Sequence, residues 1–179
     1  MLIDDAQAAE RLRPGFLEHG YREGALVTMV LQRPPDRDPP FAGLVELNAA
    51  ELAPTVEAFM RGGPRDEEAV REMCCLKEEL ERNGVRFLAA LVEGEVAGWC
   101  EMRRHEAAGQ VEDVVVLEPF RGMGLARALV GGAVERLWED GCDLIFVVAD
   151  DKDTVKELYR RLGFDDARRT WSFWWPGPE

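Results

Sequence analysis

Apolar residues recur along the chain with two different spacings, and the spacing predicts which segments are strands and which are helices. Short apolar or alternating runs predict strands at residues 25–31, 44–47, 86–92, 96–103, 110–117, 144–148 and 169–175. Helical spacing predicts helices over residues 48–60, 66–82, 124–138 and 154–161. Three antiparallel strands followed by a β-α-β crossover predict an α/β (α+β) fold, with a central mixed, mostly antiparallel twisted sheet flanked by helices on both faces.

A proline-rich segment divides the chain. Residues 32–40 hold four of the ten prolines, which exclude a helix or a central strand and predict a stiff, extended linker. The predicted organisation is therefore an N-terminal segment with a helix and a strand (1–31), the linker (32–40) and a principal domain (41–179).

The two ends of the chain share a short sequence layout. Residues 16–21, FLEHGY, precede the strand that ends at Leu31, and residues 159–164, YRRLGF, precede the strand that ends at Trp175. Two interpretations stay open. The match is chance, or the chain opens with the tail of a second domain of the same kind.

Composition and charge disfavour several classes of protein. The chain has 179 residues, 46% of them hydrophobic, and its net charge of −13 disfavours nucleic-acid binding, which needs a basic face. The longest apolar runs fall short of the roughly 18 residues of a membrane span, and the first residues do not resemble a signal peptide, so we expect a cytoplasmic protein. The four cysteines have no metal-ligand spacing and predict neither a disulfide framework nor a metal site.

Residues 111–127 carry the candidate chemistry. A strand leads into a turn with Gly122 and Gly124, and a helix follows, which is an arrangement that presents free N–H groups to a phosphate. Two arginines and no acid lie between residues 120 and 134, so the turn is locally positive. The Gly-Lys-Ser/Thr of a P-loop is absent, and Arg127 stands where the dinucleotide fingerprint needs a third glycine.

Two motifs resemble the Gcn5-related N-acetyltransferase (GNAT) superfamily. Residues 121–126, RGMGLA, fit its R/Q-x-x-G-x-G/A signature, and residues 158–164, LYRRLGF, resemble its late helix-to-strand motif. They occur in the right order with the expected strand between them, and the resemblance covers residues 43–175. It implies a GNAT-like fold and acetyl-CoA as co-substrate, without a metal.

The resemblance also implies roles for individual residues. Backbone groups of three valines would bind the pantetheine arm, and the glycine turn would wrap the pyrophosphate. Tyr159 would be the general acid for the leaving thiolate. Lys152 stands where the family often has Asn, and it would instead meet a CoA phosphate. The implied cofactor-binding residues are Val114, Val115, Val116, Arg121, Gly122, Met123, Gly124, Leu125, Ala126, Arg127 and Lys152.

A general base is expected among the carboxylates of the strand that precedes the turn. An amine must lose a proton before it attacks a thioester, and a carboxylate can accept that proton directly or through water. Glu112 is the first candidate because side-chain alternation predicts that it shares a face with Val114 and Val116. Asp113 and Glu101 follow it. The competing interpretations are an ordinary ion pair or a solvated face for Glu112, and a packing role for Tyr159.

The sequence therefore predicts an acetyl-CoA-dependent N-acetyltransferase that works by direct attack of a primary amine in a ternary complex. A covalent acyl-enzyme is not expected, since no cysteine lies near the motif in sequence. The acceptor is a small-molecule or peptide amine that the sequence does not identify. The alternative is a non-catalytic CoA-binding or assembly module, in which an exchanged N-terminal strand would produce a homodimer.

Overall fold

A computed structural model describes residues 1–36 and 43–177 of the chain. Residues 37–40 of the predicted linker lie outside this described part. In chain order the elements are β1 (Leu2–Ile3), α1 (Ala6–Glu18), β2 (Arg22–Leu31), β3 (Leu44–Leu47), α2 (Ala49–Arg61), α3 (Glu67–Arg82), β4 (Arg86–Val92), β5 (Glu95–His105), β6 (Ala108–Val116), a short 3-10 helix (Glu118–Phe120), α4 (Leu125–Glu139), β7 (Leu144–Asp150), α5 (Val155–Arg161) and β8 (Phe164–Trp174).

The chain divides into two compact units. The first combines Met1–Asp36 with Phe146–Glu179, so the two ends of the chain fold together, and the second is Arg37–Ile145. We call them the terminal unit and the central unit. Among the described residues, no helix has the length and apolar character that crossing a bilayer requires.

The central unit contains four antiparallel strands in the order β6-β5-β4-β3, with helices on both faces. Side-chain alternation assigns the faces. Phe87 and Trp99 belong to a buried cluster with residues of α2 and α3. On the opposite face, the Cys100 thiol donates to the Leu129 carbonyl of α4. This arrangement agrees with the predicted α/β fold with helices on both faces.

The helices of the central unit begin where the sequence places polar caps. Asn48 and Glu51 form a capping box at the start of α2, and Asp66 accepts a hydrogen bond from Ala69 N at the start of α3. Side-chain oxygens at these positions satisfy backbone N–H groups that have no partner within the helix.

The terminal unit has its own strand order, β1-β8-β2-β7, and β2 pairs with a strand on each side. Helix α1 packs on this sheet through Phe16, whose ring stacks on Phe173 at 4.5 Å between centroids. The N-terminal segment therefore contributes an internal strand, β2, to this unit's sheet.

The sequence layout shared by the two chain ends has a structural counterpart. Strands β2 and β8 pair antiparallel from Arg22 opposite Trp174 to Leu31 opposite Phe164, so each begins where the other ends. Each follows a helix and a glycine with positive φ. Edge-on aromatic pairs recur five residues apart, Phe16 with Tyr21 at 5.2 Å and Tyr159 with Phe164 at 6.1 Å. The two chain ends thus contribute two similar helix–strand pieces whose strands pair with each other.

The strands of this unit are longer than predicted. Strand β8 begins at Phe164 rather than at residue 169, because the exposed, charged residues Asp165, Asp166, Arg168 and Arg169 nevertheless pair with β2. Strand β2 begins at Arg22, and the two-residue strand β1 is not predicted at all. A hydrophobic pattern does not detect a strand whose side chains face solvent.

Candidate active site

The glycine turn leads into α4 with an uncapped helix N-terminus. Gly122 and Gly124 have φ values of +81° and +80°, which side chains other than hydrogen adopt only with strain. Gly124 is the N-cap, and it provides no side-chain hydrogen bond to the first turn, which also contains no acid. The first N–H groups of α4 are thus available to an external anion.

The surroundings of the turn fit a diphosphate. A methyl group at Gly122 would meet nothing within 4 Å, so the space beside the turn is open. Arg121 and Met123 are exposed, Ala126 and Arg127 are half-buried, and buried Leu125 anchors the helix in the core. The predicted pyrophosphate-binding residues therefore form one accessible, locally positive surface.

Strand β6 carries the predicted pantetheine-binding valines. Val114, Val115 and Val116 are half-buried. Beside them Gly98 of β5 pairs with Val116, and a side chain at Gly98 would overlap the Val115 carbonyl oxygen and lie 3.2 Å from Val116 Cα. Glycine at position 98 therefore permits the close approach of the β5 and β6 backbones at this point.

A β-bulge interrupts β6 just before these valines. Trp99 pairs with Val115 and Glu101 with Glu112, so the register shifts between them, and Asp113 has a φ of +48°. Opposite residues of an antiparallel pair share a face, so Glu112 lies on the same face as Val115. The predicted alternation that placed Glu112 with Val114 and Val116 is wrong, because it assumed a strand without a bulge.

A buried ammonium lies on this face. Lys77 of α3 is 4% exposed, and its Nζ donates to Glu101 Oε1 and to Asp113 Oδ2, both at 2.5 Å. Burial lowers the pKa of Lys77, but its hydrogen bonds to Asp113 and Glu101 outweigh burial, so the pKa is raised overall. Lys77 is therefore a permanent cation at neutral pH.

Arg103 supplies a second cation to the same group of side chains. Its Nη2 donates to Glu101 Oε2 at 2.7 Å. Its Nε lies 2.8 Å from Glu112 Oε2, but the N–H does not point at that oxygen, so this contact is an ion pair without a hydrogen bond. Glu101 is 2% exposed with a cation on each oxygen, so it presents no free oxygen to a substrate. The side chains of Asp113 and Glu112 are 40% and 43% exposed.

We call Lys77, Glu101, Arg103, Glu112 and Asp113 the charge cluster. Sequence reasoning identified its three acids and missed both cations. The spacing of Val70, Met73, Cys74 and Lys77 on α3 places the lysine on the apolar face of that helix, which is a recognisable pattern. Arg103 meets Glu101 and Glu112 only because of how β5 and β6 pair around the bulge, which the sequence pattern does not show.

Tyr159 and Lys152 belong to the terminal unit. Tyr159 lies on α5, is 6% exposed and contacts the Phe164 ring edge-on. Lys152 is exposed in the turn after β7, where its backbone N–H donates to Asp150 Oδ1 at 2.7 Å. Its ammonium lies on the surface.

The thiol of Cys100 is buried in the central unit. Burial raises its pKa, and the group is a protonated thiol at neutral pH. A buried thiol of this kind is a poor nucleophile.

The model of the Acetyltransferase (GNAT) family matches residues 48–164. An N-alpha-acetyltransferase MAK3 of Arabidopsis thaliana is 33% identical over 81 residues, which are 44% of this chain and 43% of the relative. The chain thus spans less than half the length of that relative.

Solved structures show the same fold. A GCN5-related N-acetyltransferase from Sphaerobacter thermophilus has a TM-score of 0.67 and 23% identity, and the match covers 99% of this chain and 60% of that one. A tandem GNAT protein from the clavulanic acid biosynthesis pathway has a TM-score of 0.66 and 19% identity, with 98% and 60% covered.

The family match spans well over half of the chain and includes the glycine turn, the bulged strand and the α5 motif. The predicted fold class and family resemblance are confirmed. The chain belongs to the acetyltransferase (GNAT) family.

Proposed function

We propose that this acetyltransferase transfers an acetyl group from acetyl-CoA to a primary amine by direct attack in a ternary complex. The observation that carries the proposal is the uncapped N-terminus of α4, with Gly122 and Gly124 at positive φ in an open, locally positive turn. Arg121 and the N–H groups of residues 122–127 would bind the pyrophosphate. Lys152 would contact a further phosphate.

The remaining steps are assigned to this chain's own groups. A half-exposed carboxylate of β6, Glu112 or Asp113, would take the proton of the acceptor ammonium, directly or through water. A backbone N–H near Val116 would stabilise negative charge on the carbonyl oxygen, and Tyr159 would protonate the leaving sulfur. The raised pKa of Cys100 favours direct attack over an acyl-enzyme.

The acceptor class is proposed from charge and from the relative's name. An acidic protein attracts cationic amines, and the Arabidopsis relative is named for transfer to an α-amino group. The amine panel should therefore contain a short peptide with a free N-terminus, an N-terminally blocked peptide with one lysine, spermidine and an aminoglycoside.

Titration calorimetry with acetyl-CoA tests the site. We expect micromolar binding by the wild-type protein and at least a hundred-fold weaker binding by Gly124→Glu, since the side chain adds strain, bulk and negative charge where the diphosphate lies. The matched control is Gly94→Glu, because Gly94 has a φ of +86° and open space around it in the hairpin between β4 and β5.

Normal binding by Gly124→Glu would exclude the turn as the cofactor site. Thiol release with the amine panel then separates enzyme from binding module. Acetyl-CoA binding without thiol release from any amine would favour the non-catalytic alternative.

A further inference from the structure

The Lys77 ammonium binds two carboxylates, one buried and one at the surface. The ammonium binds the buried Glu101, whose other oxygen is paired with Arg103, and it also binds Asp113, whose side chain is 40% exposed. The Lys77 ammonium also lies 5.8 Å from the centroid of the Phe87 ring, which restricts it further. The contact with Asp113 therefore joins a buried, restrained cation to a carboxylate that is open to solvent.

Asp113 is held in an uncommon conformation. Its φ of +48° lies in the left-handed region, which an aspartate adopts more readily than most residues but still at a cost. The hydrogen bonds described for its carboxylate come from Lys77 Nζ at 2.5 Å and Trp99 Nε1 at 3.3 Å, and both reach Oδ2. One oxygen is therefore fixed by two rigid, buried donors.

We propose that Lys77 is a positioning residue, which fixes Oδ2 of Asp113 so that the other carboxylate oxygen faces the acceptor amine. The proposal rests on the proposed function and selects Asp113 over Glu112 as the carboxylate that meets the acceptor. Glu112 lacks this fixation because its neighbour Arg103 Nε makes no hydrogen bond to it.

A double-mutant cycle tests the proposal with the panel amine that the wild-type protein acetylates fastest. We expect Lys77→Met to lower kcat/KM for the amine about ten-fold, since a displaced reacting group is costly, with the Kd of acetyl-CoA changed less than two-fold. Asp113→Asn, which tolerates the same backbone conformation, should lower it at least as much. The double variant should equal Asp113→Asn within two-fold, because Lys77 acts only through Asp113.

The matched control cycle combines Lys77→Met with Glu112→Gln, and its coupling should be smaller than in the Asp113 cycle, because Lys77 reaches Glu112 through Glu101 and Arg103 rather than directly. Wild-type kcat/KM in Lys77→Met, a further ten-fold loss in the double variant relative to Asp113→Asn, or equal coupling in both cycles would overturn the proposal.

Folding is monitored by Tm. If Lys77→Met does not fold, the comparison of Asp113→Asn with the double variant decides the question, because the double variant removes one charge of each sign. Absence of thiol release by the wild-type protein would contradict the proposed function instead, so the two failures are distinguishable.

Discussion

At the scale of single residues, the charge cluster combines a buried pair, Lys77 and Glu101, with two half-exposed acids, Asp113 and Glu112. The buried Lys77 and Glu101 require each other, since an unpaired buried charge costs several kcal/mol. The side chains of Asp113 and Glu112 lie at the solvent-exposed edge of the charge cluster. Asp113 is therefore held by a buried ammonium that Glu101 also binds.

Tyr159→Phe tests the general acid at this same scale. Because Tyr159 is 6% exposed and packs against the Phe164 ring, the Tm of the variant is measured as well, to separate a loss of stability from a loss of catalysis. We expect kcat to fall about a hundred-fold, the range in which general acids contribute, with a much smaller change in the Kd of acetyl-CoA.

Tyr21→Phe is the control, because Tyr21 is the chain's other tyrosine and contacts the rings of Phe16 and Trp175. An unchanged kcat in Tyr159→Phe would remove this hydroxyl from the mechanism.

At the scale of elements, two glycines that follow helices differ in the space around them. Gly141 follows α4 with a φ of +85° and nothing within 4 Å of an added methyl group. Gly163 follows α5 with a φ of +96°, but a methyl group there would overlap the Arg33 carbonyl oxygen and lie 3.2 Å from Pro34 O. Gly163 thus lets the segment after β2 pass α5 closely.

Gly163→Ala should consequently destabilise the protein more than Gly141→Ala. Both substitutions carry the left-handed backbone cost of about 1 kcal/mol. Gly163→Ala adds an overpacking cost of roughly 1–3 kcal/mol. Denaturant unfolding of the two variants measures the difference, and equal free energies of unfolding would show that the chain relaxes around position 163.

At the scale of the whole molecule, the net charge of −13 makes stability depend on pH. Acidification protonates carboxylates, which reduces the repulsion among them and stabilises the folded state. It also removes the charge of carboxylates in ion pairs, which destabilises the folded state. Asp151 illustrates the second effect. Its pKa is lowered by the hydrogen bond from Lys156, which outweighs partial burial, and further by the charge of Arg169.

Asp151→Asn should change the acid dependence of unfolding. Because folding lowers the pKa of Asp151, its contribution is complete above the unfolded value of about 4 and is lost as pH falls through the lower folded value. The wild-type and variant free energies should therefore differ by a constant amount from pH 7 to 5 and converge below pH 4. A difference that does not shrink in acid would contradict this assignment.

The domain organisation also belongs to this scale. The terminal unit is built from both ends of the chain, and the two helix–strand pieces in it match the layout that the sequence shows at residues 16–21 and 159–164. Their antiparallel pairing supports the interpretation of two similar pieces. The origin of the N-terminal piece in a second domain stays a prediction.

The sequence by itself determined the features that depend on neighbouring residues. These are the helices with their caps, the alternating strands of the central unit, the glycine turn and the family motif. Local sequence is sufficient there because capping, turn conformation and side-chain periodicity are set within a few residues.

Only the tertiary structure decided the features that depend on strand pairing. The bulge at Asp113 moved Glu112 to another face, and helix packing brought Lys77 between acids 24 and 36 residues away in sequence. Likewise, the exposed start of β8 became a strand because β2 pairs with it. Such contacts depend on which distant segments meet, and no local pattern contains that information.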